Sequence, residues 1–304
     1  MSTSERRCAL AARVRARELT IAPGVFDMIS ARVADRCDFH ALYMTGYGIA
    51  ASHLGLPDAG LASYADMLDR ARTLSAGTQT PLIADADTGF GGLLNVHHSV
   101  RGYEQAGVAA IQLEDQEFPK KCGHARGRRV ISTRDMVKKV EVAVAARTNE
   151  DFLIIARTDA RTTLGIDEAI ARGDAYAKAG ADVVFVESPE SEDEFKRIAN
   201  EVDAPLLANM VEGGFSPLLS AEKLSSFGFA IALYPGTGFF SAAATLSNVY
   251  AHLRETGSSS GLKDPILPIG EMHTLMGFED VWAFDEHWAD PSDDQIAVPK
   301  STPL

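Results

Sequence analysis

The chain has 304 residues, 46% hydrophobic and 23% charged, a balance that supports a large buried core and excludes collagen, coiled coil and disorder. Its 29 Lys and Arg against 42 Asp and Glu give a formal net charge of -13, which argues against nucleic-acid and anionic-lipid partners. Cys8, Cys37 and Cys122 are too few for a disulfide framework, and neither a signal-peptide core nor a membrane-spanning run is visible, so a soluble cytoplasmic protein is expected.

Apolar runs rich in β-branched residues predict strands at 20–23, 41–44, 82–84, 110–113, 152–156, 183–186, 206–208 and 230–233. Stretches with helical period follow them near 27–37, 62–77, 95–106, 133–147, 166–180, 191–201, 220–226 and 239–256. Eight strand–helix alternations with no break in composition predict an α/β fold, a closed (β/α)8 TIM barrel spanning 1–256. A doubly wound open sheet is the competitor. It is weakened because no Gly-rich dinucleotide or phosphate loop follows an early strand. A C-terminal helical extension is expected at 257–304. Within it, 270–289 carries Met272, Leu275, Met276, Phe278, Val281, Trp282 and Phe284 and reads as one or two helices that need a neighbour, expected to be a second subunit. Residues 290–304, with three prolines, read as a mobile tail.

In a barrel of this type catalytic groups sit at the carboxyl ends of the strands, and here those ends are polar. Asp85 and Asp87 are two apart, so on an extended strand both carboxylates share a face; Glu114 on the next strand would add a third. Such hard oxygen donors suit Mg2+ or Mn2+ with retained waters and do not suit Zn2+. The alternative is that either aspartate caps the following helix. Arg157 can fork onto a substrate carboxylate, or serve as an internal ion-pair partner of Glu187 or Asp159. The segment 120–129 holds five Lys and Arg and no acid, which by charge alone reads as a solvated face. Cys122 changes that weighing: Lys and His neighbours favour a thiolate, making it a candidate acid/base or nucleophile. Cys8 and Cys37 are read as inert.

Five stretches, ADADTGFGG (84–92), IQLEDQ (111–116), PKKCGH (119–124), ARTDART (156–162) and LANMVEGG (207–214), together resemble the isocitrate lyase/phosphoenolpyruvate mutase superfamily. MTGYG (44–48), ASHLGLPDAGL (51–61) and VESPE (186–190) bring the resemblance nearest to the 2,3-dimethylmalate lyase branch, with LMGFED (275–280) a weaker match. The resemblance implies a Mg2+-dependent carbon–carbon lyase, cleaving a 2-alkylmalate to pyruvate and a carboxylic acid. It also implies a homotetramer, a dimer of dimers whose eighth helix is exchanged between subunits. By the same resemblance Asp87 would ligate the metal directly, and Asp85 and Glu114 would act mostly through water. Thr45, Gly46 and Tyr47, with Arg157, would hold the pyruvyl carboxylate; Tyr43, Asp58 and Glu187 would surround the reacting oxygen; and Asn209 would contact substrate. Pro235 would help form the alkyl pocket. Cys122, on a gating loop of about 116–129, would protonate the departing carbanion, its charge stabilised by Lys120, Lys121 and His124. Methylisocitrate lyases typically follow the strand-6 glutamate with alanine, whereas Ser188 follows Glu187, which counts against a tricarboxylate. Methylisocitrate lyase and oxaloacetate hydrolase or decarboxylase stay as alternatives, and a barrel kept for binding without turnover is disfavoured.

Overall fold

A computed structural model describes residues 1–289; the tail expected at 290–304 lies outside the described residues. Eight parallel strands close into a barrel in chain order: β1 (Thr20–Val25), β2 (Leu42–Met44), β3 (Leu82–Asp85), β4 (Ala110–Glu114), β5 (Leu153–Thr158), β6 (Val183–Val186), β7 (Leu206–Asn209) and β8 (Phe229–Tyr234). β8 pairs with β1 to complete the ring. All eight predicted strands are present and the fold is the expected (β/α)8 barrel. Several run further at the carboxyl end than their apolar letters suggest. Asp85, Glu114 and Asn209 still pair in the ladder, opposite Gln112, Arg157 and Leu233, because barrel pairing needs only their backbone.

Helices α1 (Thr3–Arg15), α2 (Met28–Asp35), α3 (Gly46–Ile49), α4 (Tyr64–Gly77), α5 (Leu93–Gln105), α6 (Thr133–Ala146), α7 (Arg161–Leu164), α8 (Ile166–Lys178), α9 (Glu192–Glu201), α10 (Ala221–Phe227), α11 (Thr237–Thr256), α12 (Ile269–Met276) and α13 (Phe278–Trp288) complete the order, with a π-helical turn at Ala50–Leu54 after α3. Serines start many of them: the side chains of Ser63, Ser132, Ser191 and Ser220 accept from the N–H groups of Asp66, Asp135, Glu194 and Lys223, satisfying donors that the helix leaves free. Sequence reading does not predict α1, α3 or α7.

Strand alternation sorts the core. Leu153 and Ile155 of β5, and Val183 and Phe185 of β6, belong to the cluster inside the barrel. Ile154 and Ala156 face the outer helices, as do Val184 and Val186. The inner cluster also takes Leu10, Ala11 and Val14 of α1. That helix plugs the amino end of the barrel, anchored by Arg7, whose guanidinium donates to Val108 O at 2.9 Å and to Glu104 O.

The chain divides into two compact units, Met1–Leu246 and Ser247–Leu304, the division falling inside α11. None of the α11 side chains is buried. In the second unit the expected helical extension is two helices, in which His273, Phe278 and Trp282 form ring contacts at 4.5 and 5.7 Å. Among the described residues no helix is long and apolar enough to cross a membrane.

Candidate active site

The parity that fills the barrel also builds the site. Tyr43, Asp85, Glu114, Arg157, Glu187 and Asn209 continue the inward-facing register of Ala41, Ile83, Ala110, Ile155, Phe185 and Leu207, so their side chains gather at the carboxyl mouth. A cavity of about 390 Å³ lies there. It is lined by Tyr43, Thr45, Gly46, Tyr47, Asp58, Asp85, Cys122, His124, Arg157, Glu187, Asn209 and Pro235, among others. Gly46 is fixed by crowding: a Cβ there would lie 2.4 Å from Asp85 Oδ2.

Asp87 is not among the lining residues; it is buried, with φ +47°, a left-handed conformation that Asp tolerates better than most residues. Its N–H donates to Asp85 Oδ1 at 3.0 Å, and its own Oδ1 is 2.7 Å from Lys120 Nζ. The same ammonium is 2.5 Å from Asp58 Oδ1. Burial opposes the charge on Lys120, but Asp87, Asp58 and Asp85 hold it firmly protonated. Burial also raises Asp85, Glu114 and Asp87, the last to about 7, so the acids have less countercharge than they need. Glu114 Oε1 and Asn209 Oδ1 are buried without a hydrogen-bond partner. Oxygen donors short of positive charge fit a hard divalent cation. Among the described residues, however, no three His, Cys, Asp or Glu side chains converge into a ready-made cage. The grouping suits an ion held by one direct carboxylate and by waters, not a three-carboxylate clamp.

Arg157 is nearly fully buried. Its Nε and NH2 donate to Asp159 at 2.9 Å each, and its NH1 and NH2 lie 3.5 and 3.4 Å from Glu114 and Glu187. Of the two readings of this arginine, the ion pair with Asp159 is therefore present, and its position in the cavity lining leaves the carboxylate role open as well. Glu187 is held in turn by the Asn209 side chain at 3.0 Å and by Ser188 N–H at 2.7 Å. Tyr43 donates to Gln112 Oε1 at 3.3 Å, and burial keeps its phenol protonated.

The cationic segment is folded over the mouth. Cys122 N–H donates to Asp58 O at 2.9 Å, and Ser188 Oγ donates to Gly123 O at 3.1 Å. Two expectations need correction. Burial pushes the Cys122 thiol up to about 11, so the neighbouring cations do not make it a thiolate. His124 cannot supply a positive charge to do so, because burial lowers it; its Nδ1 accepts from Phe215 N–H at 3.2 Å, leaving Nε2–H 3.5 Å from Glu187 Oε1. Lys121, expected in the site, turns away and donates to Gly127 O at 3.1 Å. The lysine at the site is Lys120, its neighbour. Alternation along an irregular loop has no fixed period, so the sequence could not choose between them. Sequence reading also gives no role to Arg128, which donates to Asp159 Oδ1 at 2.6 Å; its place in an acid-free run close to the cysteine is the available signal.

Carboxylates, an arginine fork and a protonated thiol gathered at the carboxyl mouth of a (β/α)8 barrel occupy the place where enzymes of this fold carry their catalytic groups, and they are groups that can bind anions and move protons. The phosphoenolpyruvate phosphomutase family model matches residues 10–254. The chain is 47% identical to 2,3-dimethylmalate lyase of Eubacterium barkeri, covering 90% of this chain and 94% of that protein. It is 40% identical to 2-methylisocitrate lyase of Aeropyrum pernix, over 88% and 86%. Among solved structures, oxaloacetate acetylhydrolase bound to 3,3-difluorooxalacetate superposes with a TM-score of 0.89 at 36% identity, covering 94% and 97% of the two chains. A 2,3-dimethylmalate lyase superposes with 0.88 at 35%, covering 95% and 97%. Phosphonopyruvate hydrolase with oxalate and Mg2+ gives 0.85 at 29%, covering 95% and 99%. The chain belongs to the phosphoenolpyruvate mutase/isocitrate lyase superfamily, and it is a carbon–carbon lyase of that superfamily.

Proposed function

We propose that this lyase cleaves a 2-alkylmalate of the 2,3-dimethylmalate kind to pyruvate and a carboxylic acid, with Mg2+ as cofactor. The observation that carries this reading is the composition of the cavity. Its basic lining residues are Arg157 and His124, and the rest of the wall includes Phe185, Val211, Leu233, Pro235, Phe239 and Phe240. Arg157 serves one carboxylate, and the apolar wall suits an alkyl branch. A tricarboxylate would bring a further charge to a wall where His124 is held neutral.

A bound Mg2+ supplies Lewis acidity to the substrate hydroxyl and its neighbouring carboxylate. Asp87 would ligate it directly, with Asp85 and Glu114 acting through water. Thr45, Gly46 and Tyr47 hold the pyruvyl carboxylate together with Arg157. Tyr43, kept protonated, can donate but not accept a proton, so the hydroxyl proton goes to a carboxylate, Asp58 or Glu187. Breaking the C2–C3 bond then puts the electron pair on the departing fragment. With Lys120 committed to Asp58 and Asp87, the Nε2–H of His124 offsets the charge, Asn209 orients Glu187, and the Cys122 thiol delivers a proton to carbon. A thiol near 11 retains its proton at neutral pH, as a donor of this kind requires. The folded segment excludes water that would compete for the carbanion.

The similarity to oxaloacetate acetylhydrolase, at a TM-score of 0.89, favours a second reading, hydrolysis of oxaloacetate. One product assay separates them. The purified chain with Mg2+ is given 2-alkylmalates, methylisocitrate and oxaloacetate, and pyruvate, oxalate and CO2 are measured. Pyruvate from a 2-alkylmalate is expected; oxalate from oxaloacetate without cleavage of any 2-alkylmalate would replace the 2-alkylmalate reading with oxaloacetate hydrolysis.

A further inference from the structure

We propose that Arg128 is a positioning residue that couples closure of the 116–129 segment to carboxylate recognition by Arg157, through the carboxylate of Asp159 that both guanidinium groups share. The inference rests on the reading that Arg157 receives a carboxylate of the substrate. Asp159 Oδ1 accepts from Arg128 NH1 at 2.6 Å and from Arg157 NH2 at 2.9 Å, while Oδ2 accepts from Arg157 Nε at 2.9 Å. Arg128 is anchored a second time, donating from NH2 to Thr162 Oγ1 at 2.7 Å. The side chains of Arg128 and Asp159 are 1% and 0% exposed, so this pairing is shielded from solvent and salt.

The three groups differ in where they are attached. Asp159 follows β5 and is tied to the barrel by its N–H, which donates to Asp115 Oδ1 at 2.8 Å. Arg157 is in β5 itself. Arg128 belongs to the segment that carries Cys122, just before the isolated bridge of Gln116 with Val130. In the structure, where that segment lies over the mouth, Arg128 reaches Asp159.

Charge then does the coupling. Arg157 faces three carboxylates, those of Asp159, Glu114 and Glu187. Against that surplus an incoming carboxylate is poorly received. Arg128 engages part of the Asp159 charge, and so leaves more of the Arg157 charge for the ligand. Although burial opposes ionisation, Arg157 and Arg128 together hold Asp159 below the usual carboxylate range, which keeps it an anion shared by two cations. Linkage makes the effect mutual: closure strengthens carboxylate binding by the same factor by which a bound carboxylate favours closure.

The test uses oxalate as the probe, in Mg2+ buffer, with calorimetry for affinity and hydrogen exchange for residues 116–129. In the wild type oxalate should slow exchange across the segment. In Arg128→Gln oxalate should bind roughly tenfold more weakly, within the usual span of coupling between sites, and at matched saturation should slow exchange much less. Arg128→Lys should recover most of both effects, because it restores the charge. Thr162→Val, which removes only the second anchor of Arg128, should shift both in the same direction by a smaller factor, and it probes the coupling even if Arg128→Gln does not fold. A merely structural arginine predicts faster exchange by the same factor with and without oxalate, at unchanged affinity; that result overturns the proposal. Failure of the wild type to bind oxalate overturns it together with the carboxylate role of Arg157. Intact coupling in a protein that cleaves no 2-alkylmalate would support it while removing the 2-alkylmalate reading.

Discussion

Cys122 shows how a side chain's surroundings outweigh its sequence neighbours. Lys120, Lys121 and His124 beside it suggest a thiolate, yet Lys120 is committed to Asp87 and Asp58, Lys121 points away, and His124 is neutral. What remains is burial, which favours the thiol. If that thiol is the proton donor, Cys122→Ser should lower kcat by about 10²–10⁴-fold and leave oxalate binding nearly unchanged, because a binding group common to ground and transition states has not been lost; near-normal pyruvate release would make Cys122 a packing residue. Its pH behaviour has a definite sign. A folded pKa of about 11 lies above the ordinary thiol value of 9.0, so the stabilisation it brings is complete below about 9 and fades as pH rises toward 11. Alkylation by iodoacetamide at pH 8, followed by mass spectrometry, should therefore label the exposed Cys8 and Cys37 well before Cys122. The gap should narrow as the pH approaches 11. At the acids, Asp87→Asn keeps a residue that tolerates positive φ and should abolish Mg2+-dependent turnover without lowering the melting temperature. Asp85→Asn should weaken Mg2+ affinity about 10–100-fold, as expected for a group acting on a metal through water, measured by Mg2+ titration of activity.

The strands are legible because each is a short apolar run bounded by polar turns; β5 and β6 are apolar on both faces, so it is the structure and not their letters that tells which residues face inward. The strand ends are harder. Asp85, Glu114 and Asn209 carry the polarity of turns, while their backbones continue the ladder. Helix α1 escapes notice for a different reason. Its apolar positions Leu10, Ala11 and Val14 have helical spacing, but Arg6 and Arg7 interrupt the stripe and are themselves buried, their charge satisfied by backbone carbonyls. Charge pattern alone assigns this stretch to the surface. Its packing should be visible in stability: Leu10→Ala removes a fully buried side chain and should cost about 2–5 kcal/mol in urea unfolding. A loss under about 1 kcal/mol would mean that the plug contributes little.

At the scale of the whole molecule, the helices after the barrel present apolar surface that the single chain leaves open. Leu246 and Tyr250 of α11 are exposed, as are Trp282, Phe284 and Trp288 of α13, a concentration of aromatic area that calls for a neighbour. The proposed arrangement is a homotetramer, built as a dimer of dimers. Mass photometry at nanomolar concentration, with sedimentation at micromolar, should show assemblies of four, and Trp282→Glu should shift them toward smaller species. Monomers at every concentration would rule the arrangement out. The aromatic run is evident in the sequence, but its partner is not, because a hydrophobic stripe records the need for burial and not what meets it.

With its amino end stoppered by α1, the barrel is a vessel with one neck. If the proposed reaction makes two fragments from one at this mouth, both would leave between the cationic segment and the strand ends, one after the other. On the proposed reaction, one fragment would be protonated beside Cys122, on the segment over the mouth, and the pyruvyl fragment would be held by Arg157 of β5. That arrangement would make departure sequential, and a product-rich solution would favour the form that still holds the pyruvyl fragment.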